Sequence, residues 1–256
     1  MIRFASLGSG SRGNATLIQT DTTLVLVDCG FAARELERRC VGLDVSLDQL
    51  DAILVTHEHG DHQRGVGPVA RRYQVPVWLS PGTARSTKLG ELPARHFINL
   101  QAPAMTLGDM AITPVAVPHD AREPVQFIFR HAGHSVGMLT DLGHITPHVQ
   151  ASYAALDAIL LEANHDTQML AKGPYPPALQ ARVGGDYGHL NNQQAAEFLS
   201  KVQLQQIQYI VIAHLSEQNN QPAIARETLC AVDERIEARL SILQQASPSD
   251  WYTLSK

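Results

Sequence analysis

Residues 52–62 read Ala52-Ile53-Leu54-Val55-Thr56-His57-Glu58-His59-Gly60-Asp61-His62. The uncharged, mostly aliphatic run Ala52–Thr56 predicts a buried strand. The polar run starts where that strand stops, so it sits at the carboxyl end of a strand, where α/β folds place ligands. His57 and His59 are two apart, which in extended backbone turns both imidazoles the same way. Asp61 and His62 follow as the chain turns toward a helix expected at Gly65–Tyr73, and so face a second point close by. Imidazole and carboxylate together suit zinc, iron or manganese. An exposed polar loop is the plainer alternative, but four ligand-type side chains in six positions are hard to explain by packing.

Outward from this stretch, short runs rich in Val, Ile and Leu alternate with turns. Ile2–Leu7, Ala15–Thr20 and Thr23–Asp28 predict strands, the first two joined by the loop Gly8-Ser9-Gly10-Ser11-Arg12-Gly13-Asn14. A helix is expected over Phe31–Val41, then strands at Pro76–Ser80, Ala111–Val117, Val125–Arg130, Ser135–Thr140, Ala158–Leu161 and Tyr209–Ala213. Pro81 opens a further helix. Two more helices are expected at Asn191–Val202 and Pro222–Ile236. Lys172–Pro177 is rich in Pro and Gly but too short to link domains. Strands and helices mixed along the whole length predict a layered α/β fold in a single domain, residues 1–256.

Composition narrows the field. The chain has 256 residues, 44% of them hydrophobic, with 20 basic against 25 acidic side chains and a formal net charge of −5. That supports one large core and argues against a generally basic nucleic-acid coat. No apolar run approaches the roughly 18 residues of a membrane span. Met1-Ile2-Arg3-Phe4 leads directly into strand-like sequence, with no charged-then-apolar leader. Cys29, Cys40 and Cys230 form no CxxC pair, as expected in a reducing compartment. The expected location is therefore the cytoplasm, with no membrane partner.

The segment Thr56–His62 resembles the HxHxDH signature of the metallo-β-lactamase superfamily. The superfamily's other motifs find matches in order. Asp28 in Leu26-Val27-Asp28-Cys29-Gly30, His119 in Val117-Pro118-His119-Asp120-Ala121, Asp141 in Leu139-Thr140-Asp141-Leu142-Gly143 and His214 in Ile210-Val211-Ile212-Ala213-His214 each follow an expected strand. The resemblance implies a four-layer αββα sandwich. It implies two divalent metal ions, with zinc expected first and manganese or iron as alternatives. His57, His59 and His119 would hold one ion, Asp61, His62 and His214 the other, and Asp141 would bridge them. A hydroxide shared by the two ions would be the nucleophile. Asp28 is expected to orient the signature loop.

The complete Asp61-His62 pair disfavours a drug-hydrolysing β-lactamase. Further wording resembles the YycJ/WalJ group, related to ribonuclease Z and a cyclic-phosphate phosphodiesterase. It lies at Gly8–Asn14, His119–Pro124, Glu162-Ala163-Asn164-His165-Asp166, Gly188-His189-Leu190-Asn191-Asn192 and His214–Asn220. The resemblance implies a phosphodiesterase, specifically a DNA exonuclease acting from the 5′ end on single-stranded or nicked DNA. Asp61 and His189 are the expected catalytic residues, His189 protonating the leaving oxygen or contacting the phosphate. A capped helix terminus at Asn191 is the structural alternative for His189, and His165 competes for its role.

Three weaker features remain. The Gly8–Asn14 loop either offers backbone N–H groups to phosphate or is a tight strand connection. Arg64, Arg71, Arg72, Arg85, Lys88 and Arg95 either track a nucleic-acid backbone or form a solvated face. Aromatic residues make up only 5% of the chain, and Tyr73 and Trp78 are expected in the core, so no base-stacking platform is evident. Beside redox chemistry on iron held by the same residues, two alternatives to the nuclease stay open. One is a small-molecule hydrolase of a cyclic phosphodiester, thioester or lactone using the same metals; the other is a non-catalytic metal-binding scaffold. Oligomeric state is left open.

Overall fold

A computed structural model describes residues 1–254. Among these described residues, fourteen strands run in chain order. They are β1 (Ile2–Gly8), β2 (Ala15–Gln19), β3 (Leu24–Val27), β4 (Ala52–Val55), β5 (Val77–Leu79), β6 (Arg95–Phe97), β7 (Met105–Leu107), β8 (Met110–Ala116), β9 (Val125–His131), β10 (His134–Leu139), β11 (Ala158–Glu162), β12 (Tyr209–Ala213), β13 (Leu240–Ile242) and β14 (Tyr252–Leu254). They form two seven-stranded sheets, ordered β14-β1-β2-β3-β4-β5-β6 and β13-β12-β11-β10-β9-β8-β7. In the first, β3 to β6 are parallel; in the second, β10 to β13 are. Parallel neighbours need crossovers, and these carry the helices.

The period of two along each strand builds the layers. Ala52 and Leu54 of β4 enter the core between the sheets, while Ile53 and Val55 face the core under the first helical layer. In β12, Val211 and Ala213 point between the sheets and Ile210 and Ile212 toward the second helical layer. Both faces are buried, so these strands read as continuous apolar runs rather than alternating ones. The result is helix, sheet, sheet, helix, the expected αββα sandwich. Among the described residues, no helix is long and apolar enough to cross a membrane.

Several boundaries differ from expectation. The first helix is Ala33–Cys40, and Asn191 caps a helix that ends at Leu199. The helix from Pro222 stops at Cys230, and a 3-10 turn covers Glu234–Arg239. Strands β6, β7, β13 and β14 have three residues each, too few to show a period, and β6 is exposed throughout. Helices Pro147–Ser152, Thr167–Lys172 and Pro177–Val183 were not expected either. The last buries none of its residues, so it carries no apolar stripe to detect.

Candidate metal centre

The cluster forms at one end of the sandwich, where strands of both sheets terminate. Asp28 follows β3, Asp141 lies two residues after β10, and His214 follows β12. All three non-glycine residues adopt left-handed backbone, with φ of 59°, 54° and 53°. Such conformations cost roughly 1–2 kcal/mol and are best tolerated by Asp, Asn and His. Each bends the chain at the end of its strand, into the shared cleft. Glycine is required at position 30, where a Cβ would lie 1.8 Å from the Asp61 carbonyl oxygen. Asp61 therefore rests directly on the turn that follows Asp28, and the backbone bonds Cys29 N–H to His62 O (2.7 Å) and Asn14 N–H to Asp61 O (2.8 Å) hold it there.

Hydrogen bonding fixes the imidazoles. Asp28 accepts from Thr56 N–H and from Thr56 Oγ1–H, both at 2.8 Å. Thr56 thus spends its hydroxyl proton on Asp28, so His57 Nδ1–H donates to Thr56 Oγ1 at 2.9 Å and Nε2 is left bare. His62 Nδ1–H donates to Asp28 Oδ2 at 2.8 Å, and His119 Nδ1–H to the Gly188 carbonyl at 3.0 Å. His59 Nε2–H reaches the Asp120 carbonyl at 3.3 Å, leaving Nδ1 inward, and His214 Nδ1 lies 3.3 Å from Glu162 Oε1. Each ring has one nitrogen committed outward and one turned into the cluster, the usual arrangement of metal-ligating histidines.

The inward atoms fit a divalent ion. His57, His59 and His119 bring one donor atom each within 4.8 Å of one another, as do Asp61, His62 and His214, and as do His57, His62 and Asp141. Facing donors lie at or near the long limit of hydrogen bonding. His59 Nδ1 to His119 Nε2 is 3.3 Å, His62 Nε2 to Asp61 Oδ2 and to Asp141 Oδ1 is 3.4 Å, and His214 Nε2 to the same two oxygens is 3.5 Å. Bonds of about 2.0–2.2 Å in a tetrahedron place ligand atoms roughly 3.3–3.6 Å apart. His57 Nε2, Asp141 Oδ2 and His214 Nε2 are buried without a hydrogen-bond partner, an arrangement that is costly unless something else engages them. The chemistry and spacing of the donors thus suit divalent cations.

Charge agrees. Burial disfavours the His214 cation, but the neighbouring carboxylates Asp141, Asp61 and Glu162 push it up to about 10. His62 is likewise driven up against its burial by Asp141, Asp28 and Asp61. Asp61 is held low despite burial by His62 and His214. His57 moves the other way, pushed down by burial and by the neighbouring His62 charge. The carboxylates demand positive charge on this face, which imidazole protons or metal ions can supply.

Glu162, given no role from the sequence, lies beside the cluster. It ends the apolar strand β11 and is fully buried. It accepts from His189 Nδ1–H at 2.8 Å and from Leu190 N–H at 2.9 Å. Burial would raise its pKa, but His189 overrides this and brings it to about 2. A carboxylate closing a buried strand was the available signal, the same one that marks Asp28 and Asp141. Asn14 was also missed: its Nδ2 lies 3.0 Å from His62 Nε2 and 3.2 Å from Asp61 Oδ2. A cavity of about 330 Å³ opens over the cluster, lined by His59, Asp61, Asp141, His189 and His214 among others.

Other expected features take structural roles. In the Gly8–Asn14 loop, the N–H groups of Gly8, Ser9, Gly10, Arg12, Gly13 and Asn14 are all bonded within the protein, so these six act as a bracket, while Ser11 lines the cavity. Its Ser9 Oγ accepts from His214 N–H at 2.8 Å. None of Arg64, Arg71, Arg72, Arg85, Lys88 and Arg95 lines the cavity; Arg71 is tied to the Leu89 and Glu91 carbonyls and Arg72 to Glu37. His165 is buried outside the cavity lining, and burial pushes it down to about 4. Trp78 and Tyr73 pack against the cores.

A family model described as beta-lactamase superfamily domain matches residues 23–214. Exodeoxyribonuclease YycJ of Bacillus anthracis is 33% identical over 236 residues, 91% of this chain and 89% of that protein. Exodeoxyribonuclease WalJ of Streptococcus pneumoniae is 32% identical over 246 residues, 94% and 90% of the two chains. The metallo-β-lactamase fold protein YhfI of Bacillus subtilis superposes with a TM-score of 0.73 at 17% identity, covering 97% of this chain and 98% of its own. Human tRNase Z, short form, superposes with a TM-score of 0.64 at 14% identity, over 97% and 98%. The chain belongs to the YycJ/WalJ group of the metallo-β-lactamase superfamily.

Proposed function

We propose that residues 1–256 form one catalytic domain, a dinuclear-metal-dependent phosphodiesterase that degrades DNA as an exonuclease from the 5′ end. The near full-length match to two exodeoxyribonucleases carries this reading, and the inward-facing donor set supports it. His57, His59 and His119 would hold one ion and Asp61, His62 and His214 the second, with Asp141 between them. Zinc is the expected metal and manganese the alternative. When bound, such a pair supplies Lewis acidity and a water of lowered pKa.

The chain's own residues do the rest. Asp28 and Thr56 lock the rings of His57 and His62 in the tautomers that present Nε2 inward. Glu162 holds His189 Nδ1–H, which leaves Nε2 to face the substrate in the cavity. As water adds to phosphorus and one P–O bond breaks, the departing oxygen takes a proton from His189 Nε2, the proton shed by the attacking water replaces it, and Glu162 holds the ring through Nδ1–H throughout. Asp61 combines two jobs, as a metal ligand and as a neighbour of the reacting centre.

The test is degradation of end-labelled single-stranded DNA with added Mn²⁺, using Asp141→Ala protein as control. Release of nucleotides from the 5′ end by the parent alone is the expected result. Cleavage of a cyclic phosphodiester or small ester, with none of DNA, would overturn the nuclease reading in favour of a small-molecule hydrolase.

A further inference from the structure

The segment from Gly173 to His189 folds back over the cavity as one unit. Helix Pro177–Val183 buries no residue, yet Leu179, Arg182 and Val183, at helical spacing, line the cavity together with Tyr175. The chain then returns beneath this helix. His189 N–H donates to the Val183 carbonyl at 2.9 Å, and a Cβ at Gly188 would lie 2.2 Å from that same oxygen. Tyr175, Arg182 and His189 are therefore placed around one space by one stretch of chain.

Among the described residues lining that space, Arg182 is the only lysine or arginine and Tyr175 the only phenylalanine, tyrosine or tryptophan. Arg182 spends only Nε on Asp120, at 2.5 Å. Its side chain is 58% exposed, and both terminal amino groups remain for a second anion. A guanidinium presents this fork to phosphate oxygens bidentately. A tyrosine ring offers a face on which any base can stack. The cavity's volume of about 330 Å³ lies at the lower end of the roughly 300–1,000 Å³ typical of small-ligand sites. That is room for one nucleotide unit and not for a duplex.

We propose that Tyr175 and Arg182 form a one-nucleotide recognition site for the end of a single DNA strand, Tyr175 stacking on the base and Arg182 binding the phosphate. This rests on the phosphodiesterase reading and names its substrate form. Among the described residues, no hydrogen bond or ion pair joins Arg182 to the inward donor atoms, and both residues act by positioning the strand. One ring and one cation match one base and one phosphate, and sequence-independent stacking suits an exonuclease that must accept every base.

Binding and turnover are tested separately on the metal-loaded protein. Fluorescence anisotropy with a nuclease-resistant phosphorothioate oligothymidylate, labelled at its 3′ end, reads binding without cleavage. Tyr175→Ala and Arg182→Gln are each expected to weaken it about tenfold or more, and Tyr175→Phe to restore most of the Tyr175→Ala loss. On cleavable single-stranded DNA the loss should appear mainly in KM, and should exceed the loss on bis(p-nitrophenyl) phosphate. Parent-like binding by both variants, or parent binding a blunt duplex as tightly as the single strand, would overturn the proposal. A parent that binds the strand but never cleaves DNA would fail the exonuclease reading and leave this site standing.

Discussion

Two clusters of histidine and carboxylate sit at opposite ends of the sandwich, and their difference shows what makes a metal site. Asp21, Asp109 and His131 gather at the far end, also with donor atoms within 4.8 Å. There every donor is already engaged. Asp109 Oδ1 accepts from Thr23 Oγ1 at 2.7 Å and from Thr20 Oγ1 at 2.5 Å. His131 donates from Nδ1 to the Asp109 carbonyl at 2.9 Å and contacts Asp21 through Nε2 at 3.0 Å, and Asp21 also takes the N-terminal ammonium at 2.8 Å. At the near end the rings are pinned from behind and buried atoms are left without partners. The residue types are the same. The distribution of hydrogen bonds separates a self-satisfied tether from a site that requires cations.

The sharpest attempt to break this comparison is Asp141→Asn or His57→Ala. Each should remove metal, measured by plasma mass spectrometry on the purified protein, and cut turnover by about a thousandfold or more, since the metals carry several kcal/mol of charge stabilisation. Activity within tenfold of the parent would contradict the assignment of the near cluster. His189→Ala should next cost about a hundredfold or more in turnover while metal content stays at the parental level. Normal turnover with normal metal would remove His189 from the mechanism.

Asp28→Asn probes the pinning itself. It keeps the shape of the side chain but loses one of its acceptor positions, and a loss of about 10–100-fold in metal affinity or activity is expected. Chelation with EDTA should lower the melting temperature by about 5–10 °C, because a ligand at a hundred times its Kd adds about 2.7 kcal/mol and each kcal/mol moves a chain of this size by about 2–4 °C. No change on chelation would mean that the near cluster is as self-sufficient as the far one.

The smallest effect belongs to the far end. His131→Gln should leave metal content and turnover unchanged and cost less than about 1 kcal/mol, the range of partly exposed ion pairs. The hydrogen bond to the Asp109 carbonyl raises the His131 pKa, and Asp21 and Asp109 assist while the N-terminal ammonium opposes. A raised histidine stabilises the fold fully below its unfolded value of about 6.5 and loses that contribution as pH rises through the folded value. Parent and variant should therefore differ most in urea midpoint at acidic pH and converge above neutrality. A difference that grew with pH would reverse the sign of this assignment.

Much of the near cluster was legible because strand burial is written locally. A residue buried on both faces must be apolar, so runs such as Ala52–Val55 and Tyr209–Ala213 stand out, and a charged or imidazole side chain at their ends is conspicuous. The same logic could have marked Glu162. Tyr175 and Arg182 could not be found this way, since Tyr175 lies outside any strand and the helix Pro177–Val183 that carries Arg182 buries none of its residues.

By itself, then, the sequence determined the course of the long buried strands to within a residue or two, the donor types and their order, all of which follow from local burial. Only the tertiary structure decided which nitrogen of each imidazole faces inward, since Thr56, Asp28, Gly188 and Glu162 reach those rings from separate elements. Pairings such as β1 with β14, which join Ile2 to Leu254, and the covering of the cavity by the segment around Arg182 were decided there too. Such contacts depend on where remote parts of the chain meet, and no local pattern of hydrophobicity encodes that meeting.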